Sequence, residues 1–168
     1  MSVPKPRTIF LLRLLQLNIY NLLVDRLMEF ELTPLQYMVL SILGRRGSWS
    51  TADLARRFHI APQSMNEIVT SLRKKKLIER RESSEHRRIL YIRLTTNGTR
   101  LLETCDKAVD RIERAVFRES TLAEIARFRD FLNRALVKFT VREGRSGQPG
   151  LGSPNGHGRS ATDHRHTI

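Results

Sequence analysis

The pattern of apolar and polar positions along residues 49–94 predicts two short helices followed by a two-stranded hairpin. The helices span residues 50–58 and 62–75, and the second repeats apolar side chains at the three- and four-residue spacing of one helix face. These side chains are Met65, Ile68, Val69 and Leu72. Residues 88–94 alternate as a half-buried strand does, and residues 77–81 can pair with them. Helix, turn, helix, strand, loop and strand in this order is the pattern of a winged helix-turn-helix, a DNA-binding fold.

The polar face of the second helix predicts a contact with nucleic acid. Short polar side chains that can reach base edges are followed by cations, which suits a helix lying in a major groove. The residues are Gln63, Ser64, Asn66, Glu67, Thr70, Ser71, Arg73 and Lys74. The hairpin tip adds His86, Arg87 and Arg88, which can contact phosphates or enter a minor groove. An ordinary solvated surface is the alternative for both features.

The segments that flank this region predict further helices. Residues 9–30 carry apolar side chains around most of the helix circumference, so this helix must be covered on several sides. A second subunit would supply the cover, and the alternative is the central core helix of a monomer. Thr33 and Pro34 predict the start of the next helix, which Gly44 and Gly47 would end.

Two helices are predicted after the hairpin. The first starts at residues 95–98 and has a continuous apolar side. The second opens with a capping box formed by Thr121 and Glu124. Six of its side chains are expected to be buried: Ile125, Phe128, Leu132, Ala135, Leu136 and Phe139.

Charge supports a nucleic-acid partner. The 168 residues include 30 Lys and Arg against 17 Asp and Glu, a net charge of +13. Residues 141–168 hold four of the basic and two of the acidic residues, which leaves 26 against 15, or +11, for the remainder. A basic folded body favours a polyanion. Residues 143–168 are rich in Gly, Pro, Ser and His and are predicted to be a disordered tail.

Several functional classes are disfavoured. The single cysteine, Cys105, permits no intrachain disulfide and no zinc cluster built from Cys, and no cofactor is predicted. On the apolar side of its helix it behaves as a small hydrophobe, with peroxide sensing as the alternative. Polar residues interrupt the apolar N-terminal run, which predicts neither a signal peptide nor a membrane span. The single cysteine also fits a reducing cytoplasm. The absence of a Gly-rich phosphate loop, a nucleophile elbow or a catalytic carboxylate pair predicts that the protein is not an enzyme.

Four fragments make the chain resemble the MarR (multiple antibiotic resistance regulator) family of bacterial transcription factors. They are Leu32-Thr33-Pro34-Leu35-Gln36-Tyr37, Leu54-Ala55, the run from Leu72 to Glu79, and the run from Arg87-Arg88 through Leu94-Thr95 to Gly98. The first matches the family's LT-x-x-Q-aromatic entry, and the last matches its RR and LT-x-x-G pattern. The resemblance covers about residues 9–139.

The resemblance implies a mainly α fold, a winged helix-turn-helix whose N- and C-terminal helices intertwine into a dimer. Residues 1–31 and 96–142 would be the dimerisation helices, and residues 32–95 the DNA-binding lobe. The resemblance also implies a double-stranded, pseudo-palindromic operator, with the recognition helices of the homodimer in successive major grooves. Repression would be relieved by a small aromatic or phenolic effector.

Carried over to this chain, the resemblance assigns the wing contact to Arg88, with Arg87 beside it. Departures occur at four positions: His86 where Asp is usual, Glu67 and Ser71 where Arg is common, and Lys76 where a Gly usually makes the turn into the wing. The operator sequence therefore does not carry over. His86 also suggests a phosphate contact that strengthens as the imidazole gains charge below neutral pH.

The effector pocket is expected between the first two helices and the neighbouring helix of the motif. Its candidate residues, chosen to bind an aromatic anion, are Arg13, Asn18, Tyr20, Tyr37, Arg46, Trp49 and Phe58. The leading hypothesis is a ligand-responsive dimeric repressor. The alternative is a constitutive nucleic-acid-binding protein without a ligand sensor, which would bind operator and random DNA with similar affinity.

Overall fold

The computed structural model of the chain describes residues 6–46, 49–82 and 90–143. Within them the elements are α1 (Thr8–Met28), α2 (Pro34–Arg46), α3 (Thr51–Phe58), α4 (Pro62–Lys74), β1 (Ile78–Glu82), β2 (Leu90–Leu94), α5 (Thr96–Val116) and α6 (Leu122–Glu143). The predicted winged helix-turn-helix is confirmed in element type and order. The described residues divide into two compact units, one up to residue 118 and one from residue 119 onward, and α6 belongs to the second.

The core of the first unit collects side chains from all of its elements. Among the described residues, ten side chains are fully buried: Leu27, Val39, Leu40, Leu43, Leu54, Met65, Val69, Leu72, Ile92 and Cys105. Burying an aliphatic side chain of this size stabilises the fold by about 1.5–3 kcal/mol before the entropy cost. Helix α4 contributes three of the ten, so its apolar face is fixed in the centre of this unit.

The wing is an antiparallel pair whose register places Ile78 opposite Leu94 and Glu82 opposite Leu90. Trp49 extends the sheet: its backbone N–H donates to the Ile92 carbonyl at 3.5 Å, and the Ile92 N–H donates to the Trp49 carbonyl at 2.8 Å. Because α3 begins two residues after Trp49, this bridge connects the helix-turn-helix to the wing. The predicted strand residues 88 and 89 lie outside the described residues.

Capping boxes open both α3 and α6, and the one at α6 confirms the prediction for Thr121 and Glu124. The Ser50 hydroxyl accepts from the Asp53 N–H at 3.1 Å, and the Asp53 carboxylate accepts from the Ser50 N–H at 3.2 Å. The hydrogen bond from the Ser50 hydroxyl is the main cause that lowers the pKa of Asp53. At the start of α6, Thr121 and Glu124 make the equivalent reciprocal bonds.

Helix α2 ends at Arg46, directly before the predicted terminator Gly47, and it continues through the other predicted terminator, Gly44. The glycine serves helix packing, since a Cβ at this position would lie 2.7 Å from Leu102 Cδ2 of α5. Gly47 lies outside the described residues.

Three connections of the first unit use a residue other than glycine in the left-handed region. Glu31 follows α1 with φ 54°, His59 ends α3 with φ 52°, and Lys76 joins α4 to β1 with φ 56°. At Lys76 the chain makes the turn for which the resemblance expects glycine, and the Thr95 hydroxyl donates to its carbonyl at 2.7 Å. A left-handed residue with a Cβ costs about 1–2 kcal/mol, which neighbouring contacts must offset.

Helix α1 leaves most of its apolar surface in water. Leu27 is its one buried residue, whereas Ile9 is 68% exposed. Its other exposed large apolar residues are Phe10, Leu11, Leu12, Leu14, Leu17, Tyr20, Leu22 and Met28. By length and composition alone α1 is also apolar enough to cross a membrane, a test that helices covered by protein pass as well.

The burial predicted for α6 is not reached in a single chain. Leu136 is 57% exposed, so its predicted burial is wrong. Ile125, Phe128, Leu132 and Ala135 are partly buried. Nothing is described for the side chain of Phe139. The apolar face of α6 thus keeps its helical spacing but is incompletely covered.

We predict that Gly98→Ala destabilises the protein strongly. Gly98 is buried in the first turn of α5, and a Cβ there would lie 2.0 Å from the Leu77 carbonyl oxygen, which accepts from the Thr95 N–H at 3.0 Å. Backbone must move to relieve the clash, which should lower the free energy of unfolding by about 1–3 kcal/mol. Denaturant unfolding monitored by circular dichroism measures the change.

Gly44→Ala is the matched control. Its new methyl group meets the end of the flexible Leu102 side chain, and alanine gains about 1 kcal/mol of helix propensity over glycine. If Gly44→Ala lowered the free energy of unfolding as much as Gly98→Ala does, the packing explanation would be contradicted.

Candidate nucleic-acid interface

Helix α4 is positioned by its ends as well as by its apolar face. Pro62 occupies its first turn, where a missing N–H costs nothing, and Ala61 is the N-cap. At the other end the Lys75 N–H donates to the Ser71 carbonyl and the Leu77 N–H to the Leu72 carbonyl, each at 3.1 Å. These bonds close the helix just before the wing, so α4 presents a fixed face to the outside.

The exposed face of α4 collects the residues predicted to contact DNA. Gln63, Ser64, Asn66, Glu67, Thr70, Arg73 and Lys74 are all exposed. Six residues of this face line a shallow groove: Gln63, Asn66, Glu67, Thr70, Ser71 and Lys74. Amide, hydroxyl and carboxylate groups can discriminate base edges, whereas Arg73 and Lys74 in the last turn suit phosphates.

Ser71 differs from the other predicted contacts. Its side chain is partly buried, and its hydroxyl accepts a hydrogen bond at 3.1 Å from Nε2 of Gln36 in α2. Part of its hydrogen-bonding capacity is therefore used inside the protein. Sequence periodicity identified the side of the helix on which Ser71 lies but not its partner.

The predicted wing contacts His86, Arg87 and Arg88 lie outside the described residues. The described part of the hairpin carries exposed cations at Arg80 and Arg81. Nε of Arg81 donates to Oε1 of Glu79 at 2.6 Å. The two described strands hold Arg80, Arg81 and Arg93 against Glu79 and Glu82, a net charge of +1.

The residues predicted to bind an effector are not gathered around one cavity of the described chain. Tyr37 lines a cavity of about 1030 Å³ between α2, β2 and α5, whereas Trp49 lines a separate one of about 450 Å³. Phe58 packs against the core. The three candidates on α1, Arg13, Asn18 and Tyr20, are exposed. Arg46 is the last residue of α2, and its side chain is not described.

The larger cavity is lined on its α5 side by carboxylates. Glu103, Asp106, Asp110 and Glu113 recur there at intervals of three and four residues, and the guanidinium groups of Arg45 and Arg93 line other parts of the wall. The Tyr37 hydroxyl donates to Asp106 Oδ1 at 2.7 Å. Burial, followed by this hydrogen bond, raises the pKa of Tyr37 well above its ordinary value, so the phenol stays neutral. The acidic spacing along α5 is a sequence signal that could have identified this wall.

The second cavity is also cationic in part. Its described lining consists of Ile42, Arg45, Trp49 and Arg57. Arg45 therefore borders both cavities, whereas the residue predicted from the sequence is its neighbour Arg46. Within the described residues, no three His, Cys, Asp or Glu side chains form a group that could hold a metal ion.

We predict that Cys105 does not react while the protein is folded. The side chain is fully buried, and burial, assisted by the charge of Asp106, raises the pKa of its thiol to about 11. Since the thiolate is the reactive form, a disulfide reagent at pH 7.5 should label the native protein very slowly and the denatured protein rapidly. The extent of labelling is measured from the absorbance of the coloured thiol that the reagent releases.

Cys105→Ala provides the baseline for this measurement. Peroxide treatment should leave DNA affinity equal in the parent protein and in this variant. Rapid labelling of the native protein would contradict the prediction and restore the sensing hypothesis.

Comparison with known proteins supports the same functional class from independent information. A sequence model described as the MarR family matches residues 30–89. The HTH-type transcriptional regulator FarR of Neisseria gonorrhoeae is 32% identical over 115 residues, which cover 62% of this chain and 79% of FarR. The HTH-type transcriptional repressor MdtR of Bacillus subtilis is 32% identical over 66 residues, 39% of this chain and 43% of MdtR.

A solved structure shares the fold. A cysteine-to-serine mutant of MarR from E. coli in complex with operator DNA superposes with a TM-score of 0.65 at 20% identity, covering 75% of this chain and 91% of that one. At this identity the similarity concerns the fold, and the fold is the one deduced above from α3, α4 and the wing.

Proposed function

We propose, from the premise that this chain belongs to the MarR family of transcription regulators, that it is a dimeric repressor that responds to a small ligand. The family and the relatives named above are transcription regulators, not enzymes. The observation that carries the proposal is the construction of α4, in which three fully buried apolar residues hold an exposed polar face that ends in cations.

Operator recognition would divide between two kinds of contact. The amide and hydroxyl groups of Gln63, Asn66 and Thr70 would face base edges, while Arg73 and Lys74 would face phosphates. Arg87 and Arg88 at the wing tip would add phosphate or minor-groove contacts. Repression follows when such a protein occupies a promoter, and the relative MdtR is named as a repressor.

Dimer formation would cover the apolar surface of α1. Apolar side chains surround this helix, and a single chain buries one of them, Leu27. Exposed apolar area on this scale marks an interaction surface. A second copy of the chain is the proposed cover, with residues 1–31 and 96–142 as the dimerisation helices and the cytoplasm as the location.

The effector would bind in the larger cavity, between α2 and α5. The carboxylates of Glu103, Asp106 and Asp110 make this lining better suited to an uncharged or cationic aromatic molecule than to the aromatic anion suggested by the sequence. A ligand that separates Tyr37 from Asp106 would alter the contact between α2 and α5. Such a change would reach α4 through the elements packed on α2.

We predict that Asn66→Ala and Lys74→Ala weaken DNA binding in different ways. The probe is a duplex selected by the wild-type protein from a random library, compared with a shuffled duplex of the same composition. Asn66→Ala should cost about 1–3 kcal/mol on the selected duplex and little on the shuffled one. Lys74→Ala should weaken both and reduce the slope of log affinity against log salt concentration by about one. Fluorescence anisotropy at several salt concentrations gives both quantities.

Thr104→Ala on the exposed side of α5 is the control for loss of a helical side chain. Sedimentation of the same proteins without DNA should give twice the 19.5 kDa chain mass, as expected for a dimer. Equal wild-type affinity for selected and shuffled duplexes would favour the constitutive nucleic-acid-binding protein instead.

We predict that charge decides which aromatic molecules release the DNA. Phenol, benzylamine and benzoate share one ring and differ in charge. Phenol or benzylamine should weaken the complex with the selected duplex more than benzoate does, because carboxylates repel an anion. Asp106→Asn should reduce the difference between benzylamine and benzoate in how strongly each compound weakens the DNA complex. Release by benzoate alone would contradict this assignment of the cavity.

A further inference from the structure

A buried amide connects the start of α2 to the recognition helix. The Gln36 side chain is 9% exposed. Its Oε1 accepts from the Thr33 N–H at 3.1 Å, and its Nε2 donates to the Ser71 hydroxyl oxygen at 3.1 Å. The Gln36 N–H in turn donates to the Thr33 hydroxyl at 3.2 Å, so the bonds with Thr33 fix the amide before it reaches α4.

A second contact joins the same two regions. Nζ of Lys75, the C-cap residue of α4, donates to the Glu31 carbonyl and lies 3.9 Å from Glu31 Oε2. Glu31 lies three residues after the end of α1 and adopts a left-handed conformation. The segment from residue 31 to residue 36, the α1–α2 corner, thus contacts α4 at two places.

The two contacts lie on one side of α4. Ser71 and Lys75 are four residues apart, so they are neighbours along one helix face. Met65, Val69 and Leu72 hold α4 against the core through apolar contacts, which are non-directional. The hydrogen bond from Gln36 is directional and reaches α4 at Ser71, beside the exposed Thr70 and Lys74, so it resists rotation of the helix about its axis.

We propose that Gln36 and Ser71 are a positioning pair that sets the rotation of α4 for DNA recognition. Ser71 acts through Gln36 and is not a base contact. The α1–α2 corner therefore couples the placement of α1 and α2 to the face that α4 offers to DNA. This inference rests on the proposed function, since it concerns how the same face recognises an operator.

A double-mutant cycle distinguishes positioning from direct contact. Ser71→Ala removes the acceptor, Gln36→Met removes the amide while keeping the side-chain length, and the double variant removes both. The readout is the affinity ratio between a duplex selected by the wild-type protein and its shuffled counterpart. Each single variant should lower the ratio roughly tenfold, because it leaves one polar partner unsatisfied.

The double variant should lower the affinity ratio no more than each single variant does, since the effects of two residues that act through one bond are not additive. Ser71→Thr keeps the hydroxyl and should retain the wild-type ratio within about a factor of two. The salt slope should stay unchanged in every variant, because no phosphate contact is removed. Thr104→Ala serves again as control, and unfolding curves establish that each variant is folded. If Gln36→Met does not fold, Gln36→Asn, whose shorter amide cannot reach Ser71, replaces it in the cycle.

Two results would overturn the inference and leave the proposed function intact. One is a double variant whose loss is the product of the two single losses, as expected if Ser71 contacts a base. The other is a set of variants that all keep the wild-type ratio. A wild-type protein that selects no sequence would overturn the proposed function itself.

Discussion

The burial of one face of α4 is the interaction on which the rest of the structure depends. Met65, Val69 and Leu72 have no exposed surface, and they orient every polar residue on the opposite side of the helix. Helix α3 and strand β1 pack directly on α4. Because side chains on a helix turn together, an error in this packing would misdirect all the proposed base contacts at once. The proposed specific recognition would therefore depend on apolar contacts that touch no ligand.

The connections around α4 fix the arrangement of the helix and the hairpin in addition to the apolar packing. The Trp49 bridge to Ile92 attaches α3 to the wing, and the left-handed Lys76 lets β1 start immediately after the helix. Gly98 allows α5 to approach the Leu77 carbonyl, where a side chain would clash. Each of these features carries a local cost or constraint, and together they place hairpin and helix in one arrangement.

The fold was largely predictable because its signals are local. Helical periodicity in α4, alternation in β2 and the capping residues Ser50 and Thr121 each depend on a few neighbouring positions. The packing role of Gly44 could not be predicted, because the residue that it contacts, Leu102, lies 58 residues away in sequence. The candidate site was less predictable for the same reason: the cavity beside Tyr37 depends on Asp106, and the aromatic and basic residues chosen from the sequence are dispersed.

Ser71 shows how a long-range partner changes the meaning of a position. Its place on the polar side of α4 made it equivalent to Thr70 by periodicity, yet the bond from Gln36 makes it part of the α1–α2 corner. That corner begins where α1 ends, and α1 is the helix whose apolar surface lacks cover in one chain. In a dimer, any rearrangement of α1 would move Glu31 and its contact with Lys75. The same few residues would then transmit the state of the subunit interface to the DNA-binding face.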